Sequence, residues 1–289
     1  MTEPRRRFCA DLARENDEPL AATASRIDHW LLVEYRGLWA HDALVGSGLT
    51  DQVKQHLRRQ VGLAPHGRLL FIRRPDRRQR RELVVFAAGS RPGAEHLRRV
   101  EVGSYDELRR IDLAAAEPVD HPLFLVCTHG KHDPCCARNG RPLYEALRDE
   151  LDPDWVWQVS HIGGDRFAGN LVCLPQGIYY GRVDRDVAGT VLDEHLAGRI
   201  ALGHYRGRST YGFPVQAAEH QVRVTGGLSG IDDLELDSVV RHDDSWDVSF
   251  TAGGTRHTVR VDAELGDLTL LTCSDTTPKR PRRFRVSPA

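Results

Sequence analysis

Two apolar runs in this 289-residue chain, LFLVC (Leu123–Cys127) and WVWQVS (Trp155–Ser160), pass directly into loops of glycine and polar residues, THGKHDP and HIGGDRFAGN. Between them Leu143, Leu147 and Leu151 recur at the four-residue spacing of one helix face. A strand ending in such a loop presents side chains into a concavity, where backbone N–H groups are free to donate. Two consecutive joints of this kind restrict the segment to a small sheet with helices packed against it and both loops at strand ends. NLVCLP and IYYGRV continue the sheet as a hairpin across Pro175, Gln176 and Gly177, and Val187, Val191, Leu196 and Ile200 mark a closing helix.

The flanks extend an α/β chain into three regions, 1–115, 116–200 and 201–289. In the first, HWLLVEY reads as a strand, Val53, Leu57 and Val61 as a helix face, and LLFIRR and ELVVFAAG as paired strands around the polar turn PDRRQRR, a solvated loop. The third is β-rich. It opens with a short helix near Ala201, followed by an antiparallel pair, WDVSFTA and RHTVRVDAEL, across Gly253 and Gly254. Its basic tail, PKRPRRFRVSPA, is Pro-interrupted and is expected to lie on the surface or to fray, and no internal repeat is evident.

Forty basic against 41 acidic residues leave a net charge of −1, no global field for nucleic acid or anionic lipid. No apolar stretch approaches the roughly 20 residues of a bilayer span, and MTEPRRRFC has no apolar core of a secretory signal. A cytoplasmic, reducing address is therefore expected. There six cysteines are better read as buried thiols, metal ligands or redox groups than as disulfides.

Cys127, Cys135 and Cys136 gather around the first loop, and His161, with Asp165 four residues on, stands at the second. Soft donors converging from separate segments are what a metal or cluster requires. Adjacent side chains diverge, so one of Cys135 and Cys136 is expected to be a bystander. Cys9 and Cys173 read as core residues, since free cysteine packs as a small hydrophobe. His129 and His132 read as groups around the site rather than ligands.

CTHGKHDPCCARNGRPLY followed by VWQVSHIGGDRFAGNLVCLPQGIYYGRV resembles the signature of the sucrase/ferredoxin-like family, related to the thioredoxin-like [2Fe-2S] ferredoxins. FCADLARENDEPLAATASRIDHWLLVEY and LTLLTCS are also similar to its members, so the likeness runs over most of the chain. It implies a thioredoxin-like ferredoxin core and a [2Fe-2S] cluster. Members with non-cysteine ligands use two cysteines and an H-x3-H pair; by resemblance Cys127, Cys136 and His161 match three of these, and Asp165 stands in the place of the second histidine. A carboxylate is a harder donor than imidazole or thiolate, which leaves the fourth position open between Asp165 and Cys135. Gly163 and Gly164 serve loop geometry, Arg166 could offset cluster charge, Asn170 could fix the loop, and Phe167 belongs to the core.

The resemblance implies a one-electron carrier. Imidazole in place of thiolate raises the potential and links it to pH, the potential falling as pH rises through the imidazole range. Two other chemistries fit the residues: a thioredoxin-like thiol protein without a cluster, and a closed zinc site of two cysteines, a histidine and an aspartate. Sucrose hydrolysis needs two facing carboxylates, and none stands in a suggestive context. With no P-loop, dinucleotide fingerprint or H-E-x-x-H, electrons are expected from a separate reductase and to pass to a separate acceptor; a homodimer is compatible with the sequence.

Overall fold

The structure, a computed structural model, describes residues 7–75 and 81–288. Residues 76–80, the centre of the turn expected at PDRRQRR, and most of the MTEPRRRFC start lie outside the described residues. A short helix α1 (Cys9–Glu15) leads into β1 (His29–Glu34), α2 (Asp51–Gly62), β2 (Gly67–Arg73), β3 (Leu83–Gly89), β4 (His96–Val102) and the two-residue β5 (Glu117–Pro118). Then follow β6 (Leu123–Cys127), α3 (Pro134–Glu150), β7 (Val156–Val159), β8 (Leu171–Leu174), β9 (Ile178–Tyr180), α4 (Ala188–Leu196) and β10 (Tyr205–Arg208). All ten strands form one sheet in the order β10-β9-β8-β6-β7-β2-β1-β3-β4-β5.

Strands buried on both faces read as continuous apolar runs. β6 is buried at every residue and β1 at all but its first, and these two lie inside their respective halves. β6 pairs parallel with β7 through α3, while β8 and β9 return antiparallel on its other side. A strand, a crossover helix, a parallel strand and an antiparallel hairpin, in the order 4-3-1-2, make the thioredoxin-like core that the sequence implied.

The first half repeats that order. β1 pairs parallel with β2 through α2 and antiparallel with β3, and β3 pairs with β4. The sequence shows no repeat, yet the topology does: 4-3-1-2 meets 2-1-3-4 at an antiparallel seam between β2 and β7, where Ile72 faces Val159 and Arg73 faces Gln158. LLFIRR and ELVVFAAG are thus not paired. β1 lies between them, because a crossover through a helix sets β1 and β2 side by side in parallel.

Beyond residue 200 the expected short helix is a 3₁₀ turn (Leu202–His204) leading to β10, which joins the large sheet beside β9. The long helix comes later, α5 (Phe213–Gly226). It packs on a separate antiparallel sheet of β11 (Glu235–His242), β12 (Ser245–Ala252), β13 (Thr255–Leu265) and β14 (Arg282–Pro288), burying Ala218, Val222, Val248, Phe250 and Val261. WDVSFTA and RHTVRVDAEL pair as expected. The basic tail does not lie loose: it is β14, with Phe284 and Val286 on the core side while Arg285 faces Asp262. Its apolar residues alternate with its arginines, so the charge covers one face of a real strand. Among the described residues no helix is long and apolar enough to cross a membrane.

Gly140 sets how α3 sits on the end of β6, because a β-carbon there would collide with the carbonyl oxygen of Cys127. Gly140→Ala is expected to lower the unfolding free energy by about 1–3 kcal/mol in urea titrations. Gly62→Ala, in open space at the end of α2, is expected to be neutral or stabilising by up to about 1 kcal/mol. Equal effects at the two positions would show that the α3 approach is not tight.

Candidate metal centre

The first half of the site is a strand end tied to a helix start. Cys127, the last residue of β6, donates its N–H to the Asn170 carbonyl at 3.0 Å, and Thr128 donates to Val159 at 3.3 Å. The chain then turns through His129, whose carbonyl accepts from His132 and Asp133. Asp133 caps α3, accepting from Cys135 N at 2.8 Å, with Pro134 at the first helical position. Cys135 and Cys136 are therefore in the first turn of α3, not in the loop. Neighbours on a helix diverge by about 100°, and Cys136 joins the core beneath the sheet while Cys135 packs with Cys9 of α1.

The second half is the turn after β7. Gly163 and Gly164 take φ of 95° and 80°, a left-handed course that returns Asp165 towards His161. Arg206, buried in β10, holds this turn: its guanidinium donates to Gly163 O at 3.0 Å, Asn170 Oδ1 at 2.8 Å and Thr23 O at 2.6 Å. Asn170 in turn donates to Gly164 O at 2.8 Å, which fixes the loop as its amide suggested.

These two joints bring Cys127 Sγ, Cys136 Sγ and a ring nitrogen of His161 within 4.8 Å of one another. Asp165 Oδ1 lies 3.1 Å from Cys136 Sγ and 2.9 Å from His161 Nδ1. That nitrogen is buried and makes no hydrogen bond of good direction, its near neighbour being the Asp165 carboxylate. Two thiols, an imidazole and a carboxylate fit a metal or iron-sulfur centre with mixed ligands, the carboxylate being its hard member. The His132 ring stacks on His161 at 3.7 Å, with Nε2 3.9 Å from Asp165 Oδ2.

The charge at the site is mutually arranged. The thiol of Cys136 and, against burial, the His161 ring bring Cys127 down to about 5, and the same contact with Cys127, with burial, pushes Cys136 well up. Burial opposes a charged His161, but Asp165 and Cys127 outweigh it and raise the ring to about 9. Asp165 is held below the usual carboxylate range because His161 and Cys136 overcome its burial. Burial lowers His129 to about 4, so it is neutral at neutral pH. Its Nε2–H then donates to Ala40 O at 2.7 Å while Nδ1 accepts from the His161 N–H at 3.2 Å.

Ala40 comes from the other half of the sheet. The loop between β1 and α2 lays Trp39 edge-on against His129 and offers His41 O to His132 Nδ1 at 3.2 Å. Between this loop and the site lies a cavity of about 360 Å³, lined among others by His41, Arg58, Arg68, His129, His132 and His161.

The structure thus gathers Cys127, Cys136, His161 and Asp165, with His129 and His132 around them. It does not bring Cys135 there: its sulfur lies 3.7 Å from Cys9 and 3.4 Å from Cys273. Arg166 does not turn to the site either; it pairs with Glu18 at 2.7 Å and lies over the Phe167 ring. Cys173 and Phe167 are buried core residues. Arg206 escaped the sequence reading because YRGR carries no local signal for a bond to the Gly163–Gly164 turn. In the sequence Cys9 reads as plain core, and Cys273 stands only within LTLLTCS, with no signal that joins the two.

A family model described as Sucrase/ferredoxin-like matches residues 20–207. Among curated proteins, the chain is similar to several called altered inheritance of mitochondria protein 32. The one from Debaryomyces hansenii is 37% identical over 112 residues, 35% of this chain and 40% of that protein. The one from Clavispora lusitaniae is 32% identical over 114 residues, 36% and 41% respectively. The chain therefore spans about two fifths of the length of these two relatives. Among solved structures, the wild-type thioredoxin-like [2Fe-2S] ferredoxin from Aquifex aeolicus aligns with a TM-score of 0.28 and 17% identity, covering 31% of this chain and 100% of that one.

Because one fork holds two acceptors of the His161 turn, Arg206→Lys is expected to lower stability by about 2–4 kcal/mol, since an ammonium cannot reproduce the planar bonds and leaves buried acceptors unpaired. Denaturant titration checks this, and a loss under about 0.5 kcal/mol, the scale of ordinary surface substitutions, would show that the turn stands without the fork.

Proposed function

The chain belongs to the sucrase/ferredoxin-like family, and from that premise we propose that it is an electron carrier whose [2Fe-2S] cluster is held by Cys127, Cys136, His161 and Asp165. The observation that carries this reading is the meeting of the Cys127 thiol at the end of β6, the Cys136 thiol in the first turn of α3 and a buried imidazole nitrogen just after β7. Once bound, the cluster supplies one-electron transfer, at a potential raised where imidazole replaces thiolate.

The remaining residues prepare and guard the site. Cys127 is inclined to the thiolate needed for ligation, while Cys136 keeps its proton until a metal displaces it. Neutral His129 accepts from the His161 backbone and fixes where that ring stands. His132 covers one face of His161 and lines the cavity beside it. Imidazole ligation brings with it the pH-linked potential expected from the sequence. Electrons come from and go to separate redox proteins in a reducing, cytoplasmic setting, since the sequence carries no nucleotide-binding motif of its own.

Anaerobically purified protein is expected to be coloured and to contain iron and acid-labile sulfide in equal amounts. Cys127→Ser and His161→Ala should each bleach it, whereas Cys173→Ser, away from the site in the core, should leave the spectrum unchanged. Zinc without sulfide, or colour retained in both ligand variants, would overturn the assignment.

A further inference from the structure

On the opposite side of the first turn of α3 stands a second group of donors. Cys9 from α1, Cys135 from α3 and Cys273 from the segment between β13 and β14 form a triangle of sulfurs with edges of 3.7, 3.4 and 3.5 Å. The Asp133 carboxylate completes it, its oxygens 3.8 and 3.9 Å from Cys9 Sγ. We propose that Cys9, Cys135, Cys273 and Asp133 bind one Zn²⁺ as a closed structural site, distinct from the proposed cluster.

Geometry is the first reason. Four donors at about 2.3 Å around a tetrahedral zinc are spaced by about 3.8 Å, close to the edges of this triangle. A disulfide needs about 2.05 Å between two of the sulfurs and an oxidant, and it would strand the third thiol beside the carboxylate.

Charge is the second reason. Asp133 and the Cys9 and Cys135 side chains are buried, and among the described residues no arginine or lysine forms an ion pair with Asp133. A buried carboxylate facing three thiols is a poor resting arrangement without a cation. Backbone amides point at two of the sulfurs: Cys9 N–H at Cys273 Sγ at 3.4 Å, and Ala10 N–H at Cys135. The nearby Arg138 is already paired with Asp11 at 2.6 Å. Three thiolates with one carboxylate suit Zn²⁺ better than softer Cu(I) or the oxygen-seeking Mg²⁺ and Ca²⁺.

Position is the third. Residues 266–281 leave the small sheet after β13 and return to it at β14. On the way Cys273 N–H donates to Asp133 at 2.6 Å, and Asp275 holds the backbone of Leu271 and Thr272 at 3.0 and 3.1 Å. Leu270 packs beside Cys273 on Cys9, Ala10, Cys135 and Ala168, so the excursion is already seated at the α3 start where a metal bond would fix it. Zinc binding would release the three thiol protons to solvent and tie both ends of the chain to the turn that presents Cys136.

The test separates this site from the cluster. In full-length Cys127→Ser/His161→Ala protein, which cannot hold the cluster, one equivalent of Zn²⁺ should remain, and Co²⁺ added in its place should give the absorption of tetrahedral cobalt thiolate. Cys273→Ser in that background should weaken Co²⁺ binding by more than about 100-fold, beyond the 10–100-fold that an outer partner costs. In the unsubstituted protein, iodoacetamide mapped by mass spectrometry should spare Cys9, Cys135 and Cys273 until zinc is chelated, a result independent of how the variants fold. Absence of cobalt-thiolate bands in the double variant, alkylation indifferent to zinc, or a disulfide among the three cysteines would each overturn the proposal.

Discussion

The seam at Ile72–Val159 and Arg73–Gln158 is short, but it decides which ends of the two halves meet. Because β2 and β7 pair antiparallel by their last residues, the loops that follow the strands of both halves come to the same place. In the second half Cys127 and His161 stand where those loops begin; in the first, the loop after β1 folds across its neighbour's site. Trp39, Ala40 and His41 become the wall behind His129 and His132. A thioredoxin-like half standing alone would leave that face open to water.

The first turn of α3 is the other fixed point. Asp133 caps it, Gly140 lets it press on the carbonyl of Cys127, and the helical turn sends Cys135 and Cys136 to opposite sides. Two adjacent thiols therefore serve two groups of donors. Movement of this turn would disturb both at once, and it is held by contacts from α1 and the C-terminal excursion as well as by the sheet.

What the sequence revealed follows from how local each signal is. Cys127 and His161 lie at the ends of apolar runs, Cys136 follows the polar loop between them, and the glycines that return Asp165 towards His161 stand beside it, so that group could be read from one contiguous stretch. The choice between Asp165 and Cys135 could not, because it depends on where α3 starts; only the Asp133 cap shows that Cys135 is already helical and turned away. Arg206, Cys9 and Cys273 act across long separations and leave no periodic trace. The repeated topology was hidden for a related reason, since a buried strand needs only apolar residues in any order. The basic tail misled because the arginine run hid the alternation of Phe284 and Val286.

The central claim is that an imidazole from the HIGGD turn is a direct ligand of a redox-active cluster. Pulsed electron paramagnetic resonance of the dithionite-reduced protein, labelled with ¹⁵N at histidine alone, tests it most directly. The account predicts a spin-one-half signal with a strongly coupled histidine nitrogen that disappears when His161 is replaced by cysteine. A paramagnetic cluster with no coordinated nitrogen, or a nitrogen coupling that survives that replacement, would contradict it.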